Sequence, residues 1–159
     1  MTRNGYFVAT VRRGTLVLAL LGVTAFAACA HNESAAAPAA GGAPTDAMAQ
    51  AAAGGPLYGQ FCAKCHGDAG QGTDQGPPVV GPTALPLDPR PTAKARKSQF
   101  HTAKDIADFV LPNMPPKGPK PTVEQYLDIL AFDLKANGVD LTGKPALTPD
   151  MLPSIVIHP

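Results

Sequence analysis

The sequence predicts a small all-α domain of about three main helices joined by loops, and three observations predict it. Two stretches place apolar residues at helical spacing, Ile106-Phe109-Val110 and Val123-Leu127-Leu130-Leu134. Each is preceded by a threonine with a capping partner three residues on: Asp105 after Thr102, and Gln125 after Thr122. The chain has 159 residues, 18 of them Pro and 16 Gly, which leaves room for one domain of about 100 residues plus tails. With no Trp, 6 Phe and 3 Tyr, a core built from this sequence alone is thin. Small domains often make up that deficit with a metal or cofactor.

The N-terminal segment reads as an address. Arg12 and Arg13 precede an apolar run from Gly14 to Ala28, too short for a comfortable membrane span and suited to a signal peptide. Residues 1–28 are assigned to it. Cys29 is then the lipid-attachment residue of a lipoprotein signal, although Phe26 stands where such signals usually carry Leu, Val or Ile. Ordinary cleavage after Ala30, at Ala28-Cys29-Ala30, is one alternative, and an uncleaved anchor is another. Residues 29–53, rich in Ala, Pro and Gly, read as a lipidated cysteine and flexible tether. The expected location is the periplasmic side, anchored to a membrane by lipid or otherwise soluble. Without Arg3, Arg12 and Arg13, ten basic residues face twelve acidic ones, a balance that does not point to nucleic acid.

Chemistry enters at Cys62-Ala63-Lys64-Cys65-His66, a C-x-x-C-H motif. This is the general signature of covalent c-type haem attachment. Two cysteines three apart lie on neighbouring faces of one helical turn, where both thiols reach the vinyl groups of a porphyrin. The next residue projects its imidazole at the iron. A thioredoxin-like redox pair would need a βαβ context, and a zinc site a second ligand pair; neither pattern is present, and there are three cysteines in all. A Cys62–Cys65 disulfide would leave His66 a coincidence. One covalent haem c, with its iron, is the expected cofactor.

Beyond the motif, the chain resembles the mono-haem class I form of the cytochrome c family, over roughly residues 54–138. The resemblance implies that family's fold, with helices and loops wrapped around the haem. The first helix runs from Gly54 to Cys65, and Gly54 and Tyr58, eight and four residues before Cys62, fall where the family crosses its C-terminal helix. Gly76-Pro77-Pro78-Val79-Val80-Gly81 resembles a loop whose proline carbonyl accepts the Nδ1 proton of the ligating histidine. That implies Pro77 orients His66 and Val79 lines the haem pocket.

The second helix, Thr102 to Leu111, is stopped by Pro112. Asn113-Met114-Pro115-Pro116 resembles the loop that supplies the sixth iron ligand, making His66 and Met114 the axial pair. His101, just ahead of a helix, is the rival sixth ligand. The last helix is capped by Thr122 and ends at Asn137-Gly138. Its Ile129-Leu130-Ala131-Phe132 resembles the family's L-x-A-Y segment, implying contact of Ile129 and Phe132 with Gly54 and Tyr58. Residues 139–159 are a tail that either wraps the domain or docks a partner.

The expected function is single-electron transfer between redox protein partners. A weaker likeness over residues 126–138 points to cytochromes that accept electrons from a quinoprotein dehydrogenase. Lys64, Lys117 and Lys120 are candidates for steering a partner. Arg90, Lys94, Arg96 and Lys97 lie in a longer loop, read either as a second docking surface or as an ordinary solvated loop. The competing class is a haem enzyme or gas or redox sensor with an open or labile sixth position.

Overall fold

The computed structural model describes residues 42–158; the signal segment and Cys29 lie outside them. Among the described residues four helices, α1 (Ala47–Phe61), α2 (Ala63–His66), α3 (Ala103–Asn113) and α4 (Val123–Ala136), are followed by a 3-10 turn at Pro149–Ser154. Among the described residues, extended pairing is limited to two isolated bridges, Asp46 with Pro145 and Thr102 with Val156.

Helix α1 starts earlier than the sequence reading placed it. The Asp46 carboxylate accepts the Ala49 N–H at 2.8 Å and caps the helix. Residues 47–53, expected within the tether, are its first two turns. Gly54, Gly55, Gly59 and Pro56 all weaken intrinsic helicity, so packing is what holds α1. Ala47, Ala51, Gly54 and Tyr58 are buried, one turn or so apart along one face. Gly54 sits where a Cβ would stand 1.9 Å from the Asp128 carbonyl oxygen and 2.9 Å from Phe132 Cβ. The α1 backbone therefore lies directly on α4. The Tyr58 and Phe132 rings meet with centroids 5.3 Å apart, and Ile129 packs beside Tyr58, which is the crossing the resemblance implies.

Both expected capping motifs form. The Asp105 carboxylate accepts from the Thr102 N–H at 2.8 Å, and the Gln125 side chain from the Thr122 N–H at 2.9 Å. Helix α3 continues through Pro112 to Asn113 before it stops. The Asn113 side chain donates to the Phe109 carbonyl at 2.7 Å, satisfying an acceptor of the last turn. In α4, Leu130 and Leu134 are buried as the seam requires, whereas Val123 is 49 % exposed; Tyr126, Ile129 and Ala131 complete the buried face.

The tail is a strap over the domain. It buries Leu141, Leu147 and Leu152 against Ala47, Ala51, Ala103 and Leu134. Its backbone is tied at both ends. Ala47 N–H donates to the Lys144 carbonyl at 3.0 Å, and Ala103 N–H to that of Ile155 at 2.9 Å. Between them the buried Gln50 amide donates to the Leu147 carbonyl at 3.3 Å and accepts the Leu147 N–H at 2.6 Å. A buried amide satisfied on both sides fixes the strap's register.

Candidate cofactor site

Cys62 closes α1 and caps α2, so the C-x-x-C-H residues occupy a single turn. Cys65 and His66 both donate their N–H to the Cys62 carbonyl, at 3.1 and 3.0 Å. The two cysteines are half-buried and not joined to each other. Burial, helped by the nearby Asp133, pushes the Cys62 thiol up to about 12. A redox-active or zinc-binding thiol needs the opposite shift. Among the described residues, no three His, Cys, Asp or Glu side chains gather as a metal site of their own.

A loop wraps back over this turn. His66 Nδ1 lies 2.7 Å from the Pro77 carbonyl oxygen, so the ring donates from Nδ1 and leaves Nε2 free. The approach is close because position 76 is glycine: a Cβ there would stand 2.7 Å from the Cys65 oxygen and 3.1 Å from His66 Nδ1. Thr73 Oγ1 donates to the Cys65 carbonyl at 2.5 Å, and Tyr58 OH to that of Gly67 at 2.9 Å. The far end of the loop is pinned to α4 by Asn137. Its side chain donates to the Val79 carbonyl at 2.8 Å and accepts the Gly81 N–H at 3.1 Å.

These elements line a cavity of about 880 Å³ that is partly open to solvent. Cys62, Cys65, His66, Pro77, Val79 and Met114 all line it. Met114 caps the C-terminus of α3, and its carbonyl accepts a hydrogen bond from Tyr126 OH of α4. His101 is exposed, shares a hydrogen bond with Gln99 at 3.1 Å, and is not part of the wall. The cavity is at the upper end of the range for bound small molecules, and its wall is mostly apolar with a few placed polar groups. Two thiols, an imidazole with a free Nε2 and a thioether lining one such cavity fit an iron porphyrin.

The basic group divides. Arg90, Lys94 and Arg96 line the cavity, while Lys97 faces solvent outside it. Arg96 is 8 % exposed and its guanidinium carbon lies 3.4 Å from the centre of the Phe100 ring. It donates to the carbonyls of Ser98, at 2.9 Å, and Leu87. Burial lowers its proton affinity. Sequence reasoning treated these residues as a surface. The missed signal was Phe100, four residues on, in an otherwise polar stretch. Tyr126, Asn137 and Asp133 were also missed as site residues, although Tyr126, Ile129 and Asp133 share one helical face.

Residues 49–132 match the family model of cytochrome c oxidase, cbb3-type, subunit III. Among solved structures, the sulfane dehydrogenase SoxCD from Paracoccus pantotrophus has a similar chain, at 24% identity and a TM-score of 0.47. The match covers 72% of this chain and 59% of that one, so the chain spans less than two thirds of its length. Comparison with curated proteins gives no match.

Proposed function

This chain belongs to the c-type cytochromes, in the family of cbb3-type cytochrome c oxidase subunit III, and we propose that it is an exported single-electron carrier with His66 and Met114 as axial ligands. A cytochrome c domain holds its haem covalently and transfers electrons with it, so the open question is what this chain's own residues do. The observation that carries the reading is that His66 and Met114, from separate segments of the chain, both line the one cavity, with His66 Nδ1 committed to Pro77.

Cys62 and Cys65 would hold the haem as thioethers. When bound, it supplies a one-electron iron couple whose potential a Met ligand raises. Pro77 fixes the His66 ring and strengthens it as a donor. Tyr126 steadies the Met114 segment through its main chain. Val79, Ile129 and Phe109 keep water from the wall. Arg90, Lys94 and Arg96 supply cations to balance the two propionate carboxylates of a haem. His66 and Met114 would together leave the iron no open position for substrate.

The test is the far-red absorption of the ferric protein, where a sulfur-to-iron charge-transfer band is expected and Met114→Ala abolishes it. Ready carbon monoxide uptake by the ferrous wild-type protein, with no such band, would overturn the axial assignment in favour of the sensor or enzyme class.

We further propose attachment to a membrane by lipid at Cys29, on the periplasmic side; the mass of the mature N-terminus decides between lipidation and cleavage after Ala30. The partners are redox proteins, with a quinoprotein dehydrogenase proposed as the donor. Lys64, Lys117 and Lys120 are exposed and would steer an acidic partner surface. Reduction by such an enzyme that slows as salt rises supports this; no reduction by any of them removes it.

A further inference from the structure

Position 133 of α4 carries an ionisable group on a cavity wall that is otherwise mainly apolar. Asp133 lies four residues beyond Ile129 and seven beyond Tyr126, on the face of α4 that lines the cavity. Its Oδ1 is buried and has no hydrogen-bond partner. The ion pair found among the described residues, Lys104 with Asp108, is elsewhere. A buried carboxylate without a partner is costly, and a carboxylic acid much less so.

Resting on the electron-carrier reading, we infer that Asp133 is a redox-linked proton site of the haem cavity, protonated while the iron is ferrous and ionised once it is ferric. On oxidation one electron leaves to a protein acceptor and one proton leaves Asp133 for water; reduction reverses both. A ferric centre adds one positive charge to a cavity of low dielectric, where it favours a nearby carboxylate far more than it would in water. The carboxyl of Asp133 is close enough to Cys62, one of the two attachment points, to raise the proton affinity of its thiol.

The other groups facing Asp133 leave this role to it. From α1, Tyr58 gives its hydroxyl proton to the Gly67 carbonyl at 2.9 Å, and burial drives its ionisation to still higher pH. Cys62 loses its thiol proton for good on attachment. From α4, Tyr126 donates to the Met114 carbonyl. Asn137 reaches the main-chain oxygen of Asp133, at 2.8 Å, and not its carboxylate. From the loops, Asp74, Arg90, Lys94 and Arg96 line the same cavity, and Asp68 adds a negative charge near Tyr58. Arg90 is tied to the Thr83 carbonyl, and Arg96 to those of Leu87 and Ser98. Burial alone pushes the Asp133 carboxyl up to about 7, which brings its titration to neutral pH.

The experiment is a spectroelectrochemical titration of the full-length, haem-loaded protein from about pH 5 to about pH 9. At fixed applied potential the ferric-to-ferrous ratio should rise several-fold between about pH 6 and pH 8, bounded by tenfold per pH unit, which is 59 mV for one electron. Asp133→Asn should flatten this rise, and Asp133→Glu should keep it at a shifted pH. A flat wild-type profile, or an unchanged rise in Asp133→Asn, overturns the proposal while leaving a reversible carrier intact. Absence of a reversible couple overturns the carrier reading and this one with it. Infrared difference spectra of the wild-type protein decide the matter if the variants fail to load haem. A protonated-carboxyl band in the reduced state that moves on ¹³C labelling of aspartate supports Asp133; a band unmoved by the label assigns the proton elsewhere.

Discussion

The two ends of the α1–α4 crossing are built differently. At one end, Ala47, Ala51, Ala103, Leu130, Leu134, Leu141, Leu147 and Leu152 form a closed core, with Leu134 and Leu141 almost fully buried. At the other, Tyr58, Ala63 and Ile129 form a much smaller cluster beside a cavity of about 880 Å³. The first end is completed by the chain's own strap. The second is completed by the cofactor, whose flat apolar body takes the place of side chains the sequence lacks. One fold thus contains a region whose stability is a matter of packing and a region whose stability is also a matter of loading.

The largest effect is expected where the two ends share a backbone. Gly54→Val places side-chain atoms inside the Asp128 main chain, so the helices must separate; a loss of about 3 kcal/mol or more and poor haem incorporation are expected. Thermal unfolding together with the haem-to-protein ratio measures it, and normal values for both would mean that α1 and α4 do not cross as described.

Next in size is Leu134→Ala in the closed core, expected to cost about 2–5 kcal/mol. It should leave the visible spectrum and the potential unchanged. A shift in either would show that the two ends are coupled rather than separate.

Asp133 acts at the cofactor end, and its sign follows from linkage. Its carboxyl is raised from 3.8 to about 7, so the native state binds more protons than the unfolded state between those values. Stability therefore falls as pH rises from about 4 through about 7 and is level above that. Asp133→Asn should remove the fall and leave the variant more stable than wild type at pH 8, by up to about 4 kcal/mol. Denaturant titrations at pH 5 and pH 8 test this; equal slopes with pH in both proteins would rule it out.

The smallest effect belongs to neither end. Lys104 Nζ is 2.6 Å from Asp108 Oδ2 on the exposed face of α3, one turn away. Lys104→Ala should cost less than about 0.5 kcal/mol, and that little should vanish at high salt.

What could be read locally was read well. The two capping motifs and the C-x-x-C-H turn follow from spacing within a few residues, whereas the Pro77 approach to His66 and the contact of Tyr58 with Phe132 came only from the family resemblance. The start of α1 was misplaced because residues 47–53 are Ala-rich, and composition alone cannot separate a tether from a helix held by a distant segment. The loop cations were read as surface because a cation over a ring leaves no periodic mark. Val123 completes a helical seam in the sequence yet stands in solvent, since the seam's first turn extends past the elements that cover the rest.

The sequence by itself determined the covalent chemistry of the site and the positions of the capped helices. These depend on residues within a few turns of one another, where geometry follows from chain connectivity. Only the tertiary structure decided that the tail is a strap, that Gln50 fixes its register, that Asn137 pins the loop and that Asp133 faces the cavity. The bonds of Gln50 to Leu147 join residues 97 apart in the chain, and that of Asn137 to Val79 residues 58 apart. At such separations nothing local specifies the pairing. It is selected when the helices pack and buried polar groups must find the partners that packing brings within reach.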